Sequence, residues 1–113
     1  MWLFTETGFL SAVQKDPTKE ELVVRARDKE SLSDLSKKHS LKIIKTPMAD
    51  YPYRVEISKQ DFANWVADEA MGISYSNFKN QVAIVRDSKF AKLLGKVWSV
   101  MLDAEDGDAR ERN

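Results

Sequence analysis

The stretch PYRVEISKQDFANWVADEAMG, residues 52–72, decides the fold, because its apolar period changes from two to nearly four within a single run. Tyr53, Val55 and Ile57 alternate with Arg54, Glu56 and Ser58, which predicts a strand with one apolar and one polar face. Ser58 and Asp61 then have the spacing of a capping box, with aspartate in place of the usual Glu or Gln. Phe62, Trp65 and Val66 follow at helical spacing. A helix over Lys59 to Met71 is expected, stopped by Gly72.

Working outward, the same unit recurs upstream. Glu21 to Arg27 reads as a strand with Leu22, Val24 and Ala26 on one face and Val23, Arg25 and Arg27 on the other. Asp28 is placed as the N-cap of a helix carrying Leu32 and Leu35 and ending near His39. At an offset of 30 residues Asp28, Leu32 and Leu35 align with Ser58, Phe62 and Trp65, which suggests a ββαββα core, although any strand-cap-helix unit gives a similar pattern. Leu41 to Thr46 supplies a short strand before the loop at Pro47 to Asp50.

At the N-terminal end Trp2 to Thr5 and Phe9 to Lys15 favour strands around a turn at Glu6-Thr7-Gly8. Beyond Gly72, Ser76 is the expected cap of a helix with Phe78, Val82 and Val85. After a break at Asp87-Ser88 comes a last helix with Phe90, Leu94, Val97 and Met101, widened by Leu93 and Trp98. Trp65 and Trp98 are expected in the core. The fold class is therefore α+β: a mainly antiparallel sheet with helices on one face and two or three consecutive C-terminal helices.

At 113 residues, 42% hydrophobic and 32% charged, the chain has the size and composition of one folded domain. That domain is expected over residues 1–102. Residues 103–113 carry five acids against two arginines, a net −3, and are expected to be a disordered acidic tail. The remaining residues carry +3, too little to mark a nucleic-acid binder by charge alone.

Absence of cysteine excludes disulfides, thiolate catalysis and cysteine-ligated metals. Met1-Trp2-Leu3-Phe4-Thr5-Glu6 lacks the basic start of a signal peptide, and no apolar run approaches the roughly 20 residues of a membrane span. A cytoplasmic protein without a membrane partner is expected.

Catalytic motifs are missing as well. His39, the one histidine, sits at a helix end beside Lys37 and Lys38, where a solvated cation is sufficient explanation. Four scattered glycines build no phosphate loop, and no nucleophile and base can be paired from spacing. Asp61, Asp68 and Glu69 lie on a polar helix face that solvation explains without a metal. No cofactor is expected.

Two segments mix rings, amides and cations at element ends: Tyr51-Pro52-Tyr53-Arg54 and Tyr75-Ser76-Asn77-Phe78-Lys79. With Arg25 and Arg27 they define a candidate binding surface of Arg25, Arg27, Tyr51, Arg54, Tyr75, Asn77 and Lys79. Guanidiniums on one sheet face grip phosphates or carboxylates through paired donors, and Pro52 holds Tyr51 extended. The bland alternatives are solvation of an open sheet face, pairing of Arg54 with Glu56 or with helix carboxylates, and helix-start roles for Asn77 and Lys79.

The leading expectation is a non-enzymatic binding or regulatory protein that recognises a protein or an anionic ligand. Single-stranded nucleic acid on the same patch is the alternative, and a small enzyme using Arg54, Tyr75 and His39 is a third. Geometry discriminates among them. Convergence of the three arginines with Tyr75 favours a ligand site, whereas an exposed patch of Trp2, Tyr51 or Phe9 favours a protein interface.

Taken together, Met1-Trp2-Leu3-Phe4-Thr5 with Gly8-Phe9, Val24-Arg25-Ala26-Arg27, Tyr51-Pro52-Tyr53-Arg54, Tyr75-x-Asn77-Phe78-Lys79 and Val97-Trp98 resemble a group of small uncharacterised bacterial proteins, some phage-encoded. The resemblance covers residues 1–102 and implies a self-contained single domain without an assigned activity.

Overall fold

The computed structural model describes residues 1–110. Five strands, β1 (Trp2–Thr5), β2 (Gly8–Val13), β3 (Glu21–Ala26), β4 (Ile44–Lys45) and β5 (Tyr53–Ser58), form one antiparallel sheet in the order β1-β2-β3-β5-β4. The helices are α1 (Glu30–His39), α2 (Lys59–Met71), α3 (Phe78–Val85), α4 (Ser88–Met101) and a single turn, α5 (Gly107–Arg110). A 3₁₀ turn, Leu102–Ala104, follows α4. Part of the segment expected to be a disordered tail thus carries helical turns; its residues 111–113 lie outside the described residues.

The expected ββαββα arrangement is present as β2-β3-α1 and β4-β5-α2, with β3 and β5 pairing along the seam and β1 added at one edge. Alternation fixes which face is covered. Leu10, Val24, Val55 and Ile57 point to α1 and α2, where Leu32, Leu35, Phe62 and Trp65 complete the core. Full burial of each aliphatic side chain contributes roughly 1.5–3 kcal/mol.

Ser58 caps α2 by accepting from Asp61 N at 3.1 Å, and the helix ends at Gly72 as its sequence predicts. The strand expected over Leu41 to Thr46 is limited to Ile44–Lys45 at the sheet edge. There Thr46 N already donates to Pro52 O at 2.7 Å, closing the loop.

Three sequence-based placements are corrected. Asp28 does not cap α1, whose N-cap residue is Lys29 without a side-chain cap; its carboxylate is taken by Ser31 and Arg86 instead. Asn77, not Ser76, caps α3, accepting from Asn80 N at 3.0 Å. Trp98 is 61% exposed, and of the expected α4 stripe only Leu94 is buried.

That last correction has a structural cause. Helices α3 and α4 pack chiefly on each other, and Val82 and Leu94, their buried residues, lie outside the main core cluster. The hairpin is tied to the sheet by polar groups. Arg86, with a side chain only 7% exposed, donates from Nη1 to Thr7 O at 2.9 Å and to Ser31 Oγ at 3.1 Å. It also pairs with Asp28 through Nη2, and its Nε lies 3.5 Å from a Glu30 oxygen; its guanidinium covers the Phe90 ring at 3.8 Å.

Gly8 makes room for this knot. A Cβ there would overlap Ser31 Oγ and stand 2.6 Å from Ser31 Cβ and 2.7 Å from Arg86 Nη1. The radius of gyration is 16.1 Å, against about 13 Å for a compact chain of this length.

Candidate binding face

The sheet face opposite α1 and α2 is flanked at its β1–β2 edge by α4, across from Trp2, Phe4 and Phe9. Cross-strand register places Trp2, Ser11, Arg25, Arg54 and Ile44 in one row, since each is the Cα partner of the next. Phe4 and Phe9 pair in the adjacent row. Period-two alternation, which sends Val24 and Val55 inward, sends these side chains outward.

Arg25 is held from two sides. Its Nη2 donates to the buried Ser11 Oγ at 2.8 Å, and its guanidinium lies 4.5 Å from the Tyr51 ring centroid. Arg27 approaches the same ring at 5.1 Å and pairs with Asp50 at 3.3 Å, both side chains being largely exposed. Arg54, directly opposite Arg25, lines a depression of about 300 Å³ with Lys15, Lys19 and Glu56.

Among the described residues neither Arg25 nor Arg54 has a carboxylate within ion-pair distance, so the Arg54–Glu56 pair is not formed. The Nε atoms of both are buried without a hydrogen-bond partner. Like charges directly opposite one another on adjacent strands are destabilising, and among the described residues neither arginine has an acid in direct contact.

Beside the cations runs a file of rings. Phe9 stacks on Phe4 with centroids 4.7 Å apart, meets Trp2 edge-on at 5.5 Å, and lies 6.5 Å from Tyr51. Trp2 is 69% exposed.

Of the seven residues chosen from sequence, Arg25, Arg27, Tyr51 and Arg54 therefore share this face, while Tyr75, Asn77 and Lys79 are elsewhere. Tyr75 packs on Phe78 at 6.1 Å. Its phenol is raised by burial, then by the nearby charges of Glu6 and Glu69, which places it with the β1–β2 turn and α2. Asn77 is a helix cap, and Lys79 covers the Trp98 ring at 5.1 Å. Sequence reading missed Arg86 and Ser31 and gave Asp28 the role of a helix cap, whereas the three form a knot at the border of the face. The one available signal was an arginine closing the apolar helix run Val82-Ala83-Ile84-Val85.

On the helical side Asp34 accepts from Trp65 Nε1 at 3.0 Å and pairs with Lys38 at 3.2 Å, while Lys38 lies 3.9 Å from Glu69. Burial, then the neighbouring Asp34, raises the Glu69 carboxyl above its ordinary value of 4.5, and the attraction of Lys38 does not outweigh them. The ionised form of Glu69 thus costs the folded state. That cost is present above its folded-state pKa and is relieved as pH falls through it. Glu69→Gln is expected to be more stable than wild type at pH 7, by on the order of half a kcal/mol. In thermal melts from pH 7 to pH 4 the advantage should shrink toward zero; an advantage that grows on acidification would contradict the assignment.

Among the described residues no group of three or more acidic or histidine side chains is placed to hold a metal ion, and no helix is long and apolar enough to cross a membrane. Fold and face together define a small α+β protein with an open sheet surface of guanidiniums and rings. The chain matches no family model, no curated protein and no solved structure.

Proposed function

We propose that this is a non-enzymatic binding protein whose open sheet face recognises an anionic ligand, a phosphate- or carboxylate-bearing group held by Arg25 and Arg54 and flanked by Arg27. The observation that carries the reading is the pair of opposed arginines with no acid partner among the described residues. Ser11 and Tyr51 hold Arg25 in place before any ligand arrives, which lowers the ordering cost of binding. An anion entering here replaces mutual repulsion with charge-assisted hydrogen bonds, each contributing roughly 1.5–3 kcal/mol.

The test is calorimetric titration with pyrophosphate, an acidic peptide and a short single-stranded oligonucleotide at about 50 mM salt, where phosphate contacts bind most tightly. At least one should bind, and Arg25→Ala with Arg54→Ala should weaken it by about a hundredfold, near tenfold for each lost contact. Binding that is equal in wild type and double variant, or no binding of any probe, would sink the reading.

Single-stranded nucleic acid is the second reading, supported by the exposed Trp2 and the Phe9 ring beside the arginines, because stacking platforms next to cations suit unpaired bases. It requires that the oligonucleotide outcompete pyrophosphate and that Trp2→Ala weaken it alone.

A further inference from the structure

A second surface borders the arginine face and shares Trp2, Phe9 and Arg27 with it. Between α4 and the β1–β2 edge runs a groove of about 1040 Å³, walled by Trp2, Phe4 and Phe9 from the sheet and by Leu93, Val97 and Val100 from α4. Val100 is 66% and Met101 60% exposed. Trp2, 69% exposed, and Leu93, 48% exposed, extend the same apolar lining in water, and exposed apolar surface rimmed by charge marks interaction sites.

Charge on the groove's margins indicates the occupant. Lys89, Lys92 and Lys96 follow one flank of α4, and Asp103, Asp106 and Asp108 follow its C-terminal end. Among the described residues none of these six forms an ion pair. Acids at a helix C-terminus oppose the helix dipole and gain most from an incoming cation. Within one copy the end of α4 stands a helix length, about 21 Å, from Lys89 at its start. An antiparallel second α4 removes that separation. With a two-fold axis near Val97, Lys89 and Lys92 of one copy come alongside Asp103 of the other, and the same contact is repeated on the far side.

We propose that this groove is the interface of a two-fold homodimer, in which α4 of each copy lies antiparallel to α4 of the other and covers the Trp2, Phe4 and Phe9 rings. Arg25 and Arg54 do not line the groove, whereas Trp2, Phe9 and Arg27 do, so a dimer leaves the two opposed arginines accessible and covers the rings beside them.

Sedimentation equilibrium of the 113-residue chain at about 100 μM and low salt tests this. The expected mass is twice 12.9 kDa. Val97→Glu should give the single-chain mass with an unchanged circular-dichroism spectrum; if that variant loses structure, Val100→Glu, at a more exposed position, takes its place. Lys89→Glu with Lys92→Glu, and separately Asp103→Lys with Asp106→Lys, should each weaken dimerisation at least about tenfold. The four changes combined should restore it. A wild-type monomer, a dimer that survives both glutamates, or a combined charge swap no better than its halves would overturn the proposal. So would a monomer that takes up an apolar dye in the groove, since the occupant would then be foreign.

Discussion

Arg86→Met should release the α3–α4 hairpin while the sheet stays folded. In native-state hydrogen exchange, amides of α3 and α4 should exchange about a hundredfold faster, a local loss of roughly 3 kcal/mol, while β3 and β5 keep their protection. The argument rests on how the hairpin is attached. Its buried residues, Val82 and Leu94, serve each other rather than the main core, and Arg86 joins it to Thr7, Ser31 and Asp28 at once. Methionine keeps much of the length over Phe90 and removes every one of those donors. Asp28→Asn should reproduce much of the loss by leaving a buried guanidinium short of its closest carboxylate. The double variant should then show a coupling of at least about 1 kcal/mol, since the two residues share one network. An equal loss of protection in β3 and β5 would mean that hairpin and sheet unfold as one unit.

This knot also marks where sequence stopped being legible. Period and capping located β5, α2 and the Gly72 stop because each depends on neighbours within four or five residues. Asp28 has the chemistry of a cap, and local reasoning assigned it that role. Its actual partners, Arg86 and Ser31, include a residue 58 positions away, and nothing local announces a contact of that span. Trp98 failed for a related reason. A helical stripe of apolar residues states that a face seeks cover, but not that the cover comes from the same chain.

The candidate site divides along the same line. Arg25, Arg27 and Arg54 could be put on one face because alternation in a strand leaves only two choices, and pairing of β3 with β5 makes the choice common to both. Tyr51 follows from Pro52, which extends the chain just before β5. No such rule governs the connection from Gly72 to Asn77, whose route around the molecule takes Tyr75 to Glu6 and Glu69 rather than to the arginines. The ring file of Trp2, Phe4 and Phe9 was legible as strand residues, but its meeting with Tyr51 required the order β1-β2-β3, which only the assembled sheet supplies.

Trp65→Ala is expected to have the opposite signature from Arg86→Met: a cooperative loss shared by the whole core. Trp65 is 1% exposed, stacks on Phe62 at 6.1 Å and donates to Asp34 at 3.0 Å, joining α2 to α1 above the β3–β5 seam. Truncation leaves a cavity where those elements meet, which costs about 3–5 kcal/mol, and should lower Tm by roughly 10–20 °C. Trp65→Phe separates the contributions. It retains most of the apolar volume and removes only the indole donor, costing about 1–2 kcal/mol, because Asp34 keeps Lys38 as a partner. Urea unfolding followed by circular dichroism should show the midpoint falling at unchanged slope for both variants, with β3 and β5 amides losing protection together. A loss below about 1 kcal/mol for Trp65→Ala would show that the two ββα units are held by strand pairing alone, and that the helical layer contributes little to their union.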